Sequence, residues 1–211
     1  MEFELYDQVA RVGKAIGHGT RLEMVELLAQ AEQSVEDLAR ITGNAVTTTS
    51  SHLQVLKRAG LVATRREGTR IFYRLAHENV AGLFVAMKAV STAVLPAAEP
   101  AHNVQSACPE VPMIRSVDDT REAFMLDVRP AREYQAGHFP GAVSIPLADL
   151  EERAGELPTD QRVIVYCRGE FCVLARDAAR TLRARGIDAY AMDEGVLEWR
   201  AGGTVDLSKS A

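Results

Sequence analysis

The sequence predicts a chain of two domains of different class: a mainly α domain closed by a β-hairpin, then an α/β domain built on a parallel sheet. Three observations point there. Apolar residues recur at helical spacing up to about residue 95. Half of the eight prolines (Pro96, Pro100, Pro109 and Pro112) crowd one short stretch. Beyond them, apolar strands alternate with amphipathic helices. A length of 211 residues accommodates one or two domains.

Composition narrows the function classes. With 47% hydrophobic and 25% charged residues, the chain can bury a core and is not disordered as a whole. No apolar run is long enough to span a bilayer; Val80 to Met87 is among the longest, and Lys88 closes it. The opening MEFELYDQ is acidic and lacks the basic-then-apolar pattern of a signal peptide. Three cysteines are too few for a disulfide framework. The expectation is a cytoplasmic protein with no membrane segment and with thiols free for chemistry. The net charge of -5 is unevenly spread, with 11 basic against 11 acidic residues in 1–100 and 13 against 18 in 101–211. Within 40–74, seven basic residues (Arg40, Lys57, Arg58, Arg65, Arg66, Arg70, Arg74) stand against one acidic residue, Glu67. Such a local excess is either a solvated surface or a face aimed at a polyanion.

In the first domain, Leu5, Val9, Val12 and Ile16 mark one helix by spacings of three and four. Thr20-Arg21-Leu22-Glu23 has the form of a capping box opening a second helix, from Arg21 to about Gln30. Ser34 can cap a third that carries Leu38 and Ile41 and stops at Gly43. A fourth runs from about Val46 to Ala59 and ends at Gly60. LVATRREGTRIFYRLA then alternates around Glu67-Gly68 as a hairpin does. A last helix, about 77–95, sets Val80, Leu83, Phe84, Met87, Val90 and Val94 along one face. Two short helices, a tight turn and a basic hairpin make a winged helix-turn-helix.

GHGTRLEMVELLA, SVEDLARITG, SSHLQVLKRAGLV and TRREGTRIFYRLA, in this order, resemble successive segments of the ArsR/SmtB family of bacterial repressors over about residues 5–95. The resemblance implies a homodimer, held by its first and last helices, that binds double-stranded operator DNA and releases it when an inducer arrives. The residues agree with this. The helix from Val46 offers Thr47, Thr48, Ser50, Ser51, Gln54 and Lys57, side chains suited to base edges and phosphates. Arg65, Arg66 and Arg70 flank the hairpin turn, where they could track phosphates. His52 reads equally as a packing residue or a base reader, and Leu53, Val55 and Leu56 as core. Metal-sensing members of the family use paired cysteines on the third helix, or Asp, His and Glu on the last. Here the third helix reads Ser34-Val35-Glu36-Asp37-Leu38, and no second histidine follows His77 and Glu78 in the last helix. Soft metals need thiolate or imidazole clusters, so no metal site is expected in this half.

Pro96 to Pro112, with AAEPAHNVQSAC within it, resists helix and central strand and reads as a linker between domains 1–95 and 113–211. After it, AFMLDVR, QRVIVYC and IDAYAM are apolar strands, PAREYQAG is a short helix, and VLARDAARTLRARG an amphipathic one. LDVRPAREYQAGHFPGAVSIP, a cysteine ending a later strand, and EGVLEWRAGG resemble the rhodanese domain over about 113–206. That resemblance implies an active-site cysteine that carries sulfur as a persulfide. By the same resemblance Asp127 and Arg129 are scaffold groups near the active-site loop, and Glu133 a partner for Arg129. His138 reads as structural, and Trp199 as packing the last helix onto the sheet.

The site can also be argued from chemistry. Cys167 ends a strand, where open α/β sheets place their ligands. The loop Arg168-Gly169-Glu170-Phe171-Cys172 follows and leads toward a helix. Inward-pointing amides, the helix N-terminus and Arg168 are expected to lower the Cys167 pKa and favour its thiolate; the alternative is an inert cysteine closing a strand. Active thiosulfate sulfurtransferases carry Gly at the fourth loop position and Arg or Thr at the sixth. Here Gly169 is third and Cys172 sixth, a departure that weakens thiosulfate binding but adds a second thiol. A phosphatase would need Arg where Val173 stands. Cys172 either packs the helix start or resolves a persulfide formed on Cys167. Cys108, in the linker, is a secondary candidate.

Together these readings predict a dimeric repressor whose second domain senses a sulfane-sulfur donor (persulfide, polysulfide or thiosulfate) through Cys167 and Cys172 and lets go of DNA, without a bound cofactor. Two alternatives stand beside it: a sulfurtransferase with an autoregulatory DNA-binding domain, and an arsenite- or soft-metal-responsive repressor.

Overall fold

A computed structural model describes residues 2–95, 111–120 and 122–209. Packing divides the chain into two units, Met1–Ala86 and Met87–Ala211. The expected linker, except for Val111 and Pro112, and Cys108 with it, lies outside the described residues.

The first unit starts with helix α1 (Glu2–Ile16), α2 (Gly19–Gln30), a two-residue strand β1 (Gln33–Ser34), α3 (Val35–Thr42) and α4 (Val46–Arg58). The hairpin β2 (Val62–Glu67) and β3 (Arg70–Leu75) follows, then the start of α5 (Asn79–Val94). Ser34 caps α3 by accepting a hydrogen bond from the Asp37 amide, and Gly43 closes it with a left-handed φ of 67°. One cap differs from expectation. The side chain that caps α2 is His18, whose Nδ1 accepts from the Thr20 amide, so Thr20 lies inside the helix rather than before it. A histidine two residues upstream satisfies an orphan amide of the first turn, a role a Ser/Thr-x-x-Glu pattern would give to the threonine. The hairpin pairs Val62 with Leu75 through Glu67 with Arg70, and Gly68 takes a φ of 60° at its turn. β1 joins the other edge of β3 and makes the sheet three-stranded. Met24, Val25, Leu38, Leu53 and Leu56 are fully buried between the helices.

The apolar face of α1 is buried at its end, by Ile16, but its first turns are left open among the described residues. Leu5, Tyr6 and Val9 are 63%, 73% and 63% exposed. The expected apolar face of α5 splits in the same way: Val80 and Phe84 are buried, whereas Val90 and Val94 are exposed.

The second unit holds a five-stranded, all-parallel sheet in the order β4-β8-β7-β5-β6. Its strands are β4 (Met113–Ile114), β5 (Phe124–Asp127), β6 (Val143–Ser144), β7 (Val163–Tyr166) and β8 (Ala189–Met192). Between them run α6 (Ala131–Ala136), α7 (Leu150–Arg153) and α8 (Leu174–Ala184), and α9 (Val196–Gly202) closes the order. The central strand β7 is buried along its whole length, as a parallel sheet covered on both faces requires. Val163 and Val165 pack toward Ala175, Ala178 and Leu182 of α8, while Ile164 and Tyr166 pack toward Trp199 of α9. Trp199 therefore does pin the last helix to the sheet. β4 and β6 escape the sequence reading because two residues carry no period.

Candidate functional site

On α4 the pattern of burial sorts the side chains. Thr49, Leu53 and Leu56 point into the core. Thr47, Thr48, Ser51, Gln54 and Lys57, five of the six expected DNA-facing residues of this helix, are exposed, and Ser50 is half-buried. Two are already oriented by the wing's sheet: Gln54 Nε2 donates to Tyr73 Oη at 3.1 Å and Lys57 Nζ to Thr64 Oγ1 at 3.1 Å. His52 packs its ring on His18, 4.6 Å between centroids. Burial, then the neighbouring charges of His18 and Arg21, lower its pKa.

The three wing arginines are not equivalent. Arg65 bonds to Glu32 and Glu67, each at 2.7 Å, and lies over the Phe72 ring, so its charge is already compensated. Arg66 donates to the Gly68 carbonyl at 3.0 Å, and neither it nor Arg70 has a carboxylate partner among the described residues. The sequence does not distinguish them, because Glu32 lies more than thirty residues upstream of Arg65.

In the second unit, the loop after β7 carries the chemistry. Asp127 at the end of β5 and Arg129 form an ion pair at 2.6 Å with both side chains fully buried, and Arg129 also donates to the Gly137 carbonyl at 2.8 Å. These are the expected scaffold groups. Glu133, expected to pair with Arg129, does act on it by charge, and it also clamps Arg168 in a bidentate contact of 2.6–3.2 Å. His138 is structural: its Nδ1 meets the Tyr134 carbonyl at 2.8 Å, its ring stacks on Tyr134, and its backbone pairs with Ser208.

Cys167 and Cys172 are brought together. Cys167 is 1% exposed, and its Sγ lies 3.4 Å from the Cys172 carbonyl. Cys172 is half-buried, and its amide donates to Gly169 O at 2.9 Å, which folds the loop back on itself. The two thiols lie close enough to shift each other's titration. The expected acidification of Cys167 is overturned. Burial, and then the nearby Cys172 sulfur, push its pKa well above the ordinary cysteine range, despite the Ala175 and Gly169 amides. Cys172 is brought down to about 7, by the hydrogen bond from Cys167 first, against its own burial, with help from the Arg168 and Leu174 amides and the Arg168 charge.

Gly195 shapes the far wall. A Cβ there would stand 2.5–2.6 Å from backbone atoms of Gly169, Arg168 and Cys167, so only glycine lets the segment before α9 press on the loop. Glu198 Oε2 accepts from the Gly195 amide at 3.0 Å, and its carboxylate fills the space beside Gly169. One residue was missed altogether by sequence reasoning. Lys88, on the half of α5 that belongs to this unit, is 4% exposed. Its Nζ lies 2.8 Å from Glu198, 3.8 Å from Glu170 and 4.4 Å from the centre of the Phe171 ring. The only signal was a lone cation in an otherwise apolar helix. Among the described residues, no group of three or more His, Cys, Asp or Glu side chains is arranged to hold a metal ion. No described helix is long and apolar enough to cross a membrane.

Comparison with known proteins matches both halves. The family model for bacterial regulatory proteins of the arsR family matches residues 18–64, and that for the rhodanese-like domain matches 113–202. The HTH-type transcriptional regulator Rv0324 of Mycobacterium tuberculosis is 46% identical over 204 residues, covering 94% of this chain and 90% of that protein. A tRNA sulfurtransferase of Desulfurococcus amylolyticus is 34% identical over 82 residues, 38% of this chain and 16% of that protein. Among solved structures, the homodimeric winged helix-turn-helix DNA-binding domain of Mb0332 from Mycobacterium bovis is 52% identical over 44% of this chain and 87% of that one, with a TM-score of 0.42. The chain is a transcriptional regulator belonging to the arsR family, with a rhodanese-like domain following its winged helix-turn-helix.

Proposed function

We propose that this regulator is a homodimeric repressor that binds operator DNA through α4 and its wing, and that sulfane sulfur reacting at Cys167 and Cys172 releases it. The observation that carries this reading is a second thiol, Cys172, folded back so that its carbonyl lies 3.4 Å from Cys167 Sγ, at the loop position where a thiosulfate-using enzyme would place a cation or hydroxyl. The bare apolar faces of α1 and of the end of α5 support the dimer.

Lys88 supports a route for the response. The helix that carries it contributes Asn79–Ala86 to the first unit and Met87–Val94 to the second. Joining the two cysteines, or inserting sulfur between them, displaces Glu170 and Phe171, on which the Lys88 ammonium rests. Glu198 stays at 2.8 Å from Nζ, so such a displacement removes the more distant carboxylate and the ring from Lys88 and biases the helix without stranding the cation.

The test uses the full chain with Cys167→Ser or Cys172→Ser. Each variant should bind upstream DNA with wild-type affinity and no longer release it when a persulfide is added. Release that persists in both variants would refute the assignment of the sensor to this loop.

A further inference from the structure

The sulfur-sensing reading leaves open which class of donor the loop accepts. A doubly charged donor such as thiosulfate is best held by a cation that can turn to it. Three cations stand in the loop and its walls, and each is tied to a carboxylate. Arg129 pairs with Asp127 at 2.6 Å, Arg168 with Glu133 at 2.6 Å and Lys88 with Glu198 at 2.8 Å. A fourth carboxylate, Glu170, lies in the loop itself, between the two thiols in sequence. The cation paired with it, Lys88, is 3.8 Å away and is held more closely by Glu198. The Glu170 side chain is 36% exposed, the most open of these seven groups. The rest of the rim is apolar: Phe171 and Val173 are also exposed. Val173 stands where a phosphatase loop would carry arginine, and Cys172 where a thiosulfate-using loop would carry arginine or threonine. The wider field has the same sign, since residues 101–211 hold 13 basic against 18 acidic side chains. An incoming donor therefore meets a carboxylate and two apolar side chains before it meets a cation.

We infer that the loop selects its sulfur donor by charge, with Glu170 as the specificity-determining residue; this rests on the sulfur-sensing function proposed above. It accepts sulfane sulfur from a small persulfide whose carrier is uncharged or cationic, and it discriminates against thiosulfate and the persulfides of acidic thiols. In the transfer, Cys167 attacks the outer sulfur of R–S–SH and the donor's S–S bond breaks. The electron pair leaves on R–S⁻, which takes the proton given up by Cys167. The products are Cys167–S–SH and R–SH, so no outside oxidant or reductant is consumed. Cys167 is 1% exposed, so the outer sulfur reaches in while the carrier R stays at the rim, where Glu170 lies. The charge on R, rather than the reacting sulfur, is then what the protein reads.

The experiment treats the full chain, carrying Cys108→Ser, with three persulfides that share a reactive head and differ in carrier charge. They are the persulfides of cysteamine (cationic), N-acetylcysteine methyl ester (uncharged) and N-acetylcysteine (anionic), with thiosulfate as the dianion. Sulfur uptake is followed by intact mass, and each rate is divided by that donor's rate with a small free thiol. At low salt the cationic and uncharged donors should exceed the anionic one by about tenfold, with thiosulfate slower still. Added salt should speed the anionic donors and leave the uncharged one unmoved, because screening weakens a repulsion. Glu170→Gln should shrink the cationic-to-anionic ratio by at least about threefold, and Glu170→Asp should keep it. Equal normalised rates across the series would overturn the charge selection while leaving the sensor reading intact. So would a preference for anionic donors that salt abolishes, the behaviour of a cationic loop. A ratio unmoved in Glu170→Gln would overturn the role of Glu170. Absence of uptake from every donor would overturn both the selection and the sensor reading.

Discussion

Helix α4 and the loop from Cys167 to Cys172 are built on opposite rules. Along α4 the polar side chains at 47, 48, 51, 54 and 57 stand in solvent on a helix whose other face is core, and Ser51, Gln54 and Lys57 each donate one hydrogen bond within the domain. In the loop nearly every polar group is enclosed and engaged: Arg168 by Glu133, Cys167 by Cys172, and Glu198 by Gly195 and Lys88. A surface that must meet DNA keeps its side chains accessible to solvent, whereas a site that must hold two thiols in register needs fixed neighbours. Affinity and response are therefore separable by mutation, and the consequences of substitution should differ in kind.

The largest difference should appear in stability. Asp127→Ala strands the fully buried Arg129 guanidinium and should cost about 3–5 kcal/mol, whereas Thr47→Ala should change stability by less than about 0.5 kcal/mol. Urea unfolding of the two variants checks this, and comparable losses would break the comparison. Next in size is the response itself. Lys88→Met removes the cation from Glu170 and Glu198 but leaves both thiols in place. It should still take up sulfur at the wild-type rate while its persulfide-induced change in DNA affinity shrinks about tenfold, about 1.4 kcal/mol. Paired mass-spectrometric and DNA-titration measurements read both. An unchanged response would remove Lys88 from the route. The smallest effects belong to the wing. Arg66→Ala should lower the slope of log K against log salt by about 0.9. Arg65→Ala should lower it less, because Glu32 and Glu67 already compensate its charge. Equal slopes would mean that DNA pulls Arg65 away from its carboxylates.

How far this was legible in the sequence depends on distance along the chain. Local signals held: Ser34 and Gly43 bound α3, Glu67-Gly68 turns the hairpin, and the apolar run VIVY is the buried central strand. Near neighbours can still mislead. Thr20 and Glu23 have the spacing of a capping box, yet His18 does the capping. The site was half legible. Asp127, Arg129, Cys167 and Cys172 could be named from their motifs, but not the state of either thiol. That state depends on how deeply the folded loop buries Cys167 and on how close it brings Cys172, which no local motif shows. Lys88 was the least legible, since its partners Glu170 and Glu198 lie about a hundred residues further along.

The most direct test of the account is the affinity of the full chain for duplex DNA from its own upstream region, measured at one fixed salt concentration before and after treatment with an organic persulfide. The account predicts tight binding by the reduced protein, a loss of at least about tenfold on treatment, and recovery with a thiol reductant. Equal affinity in the two states would contradict it.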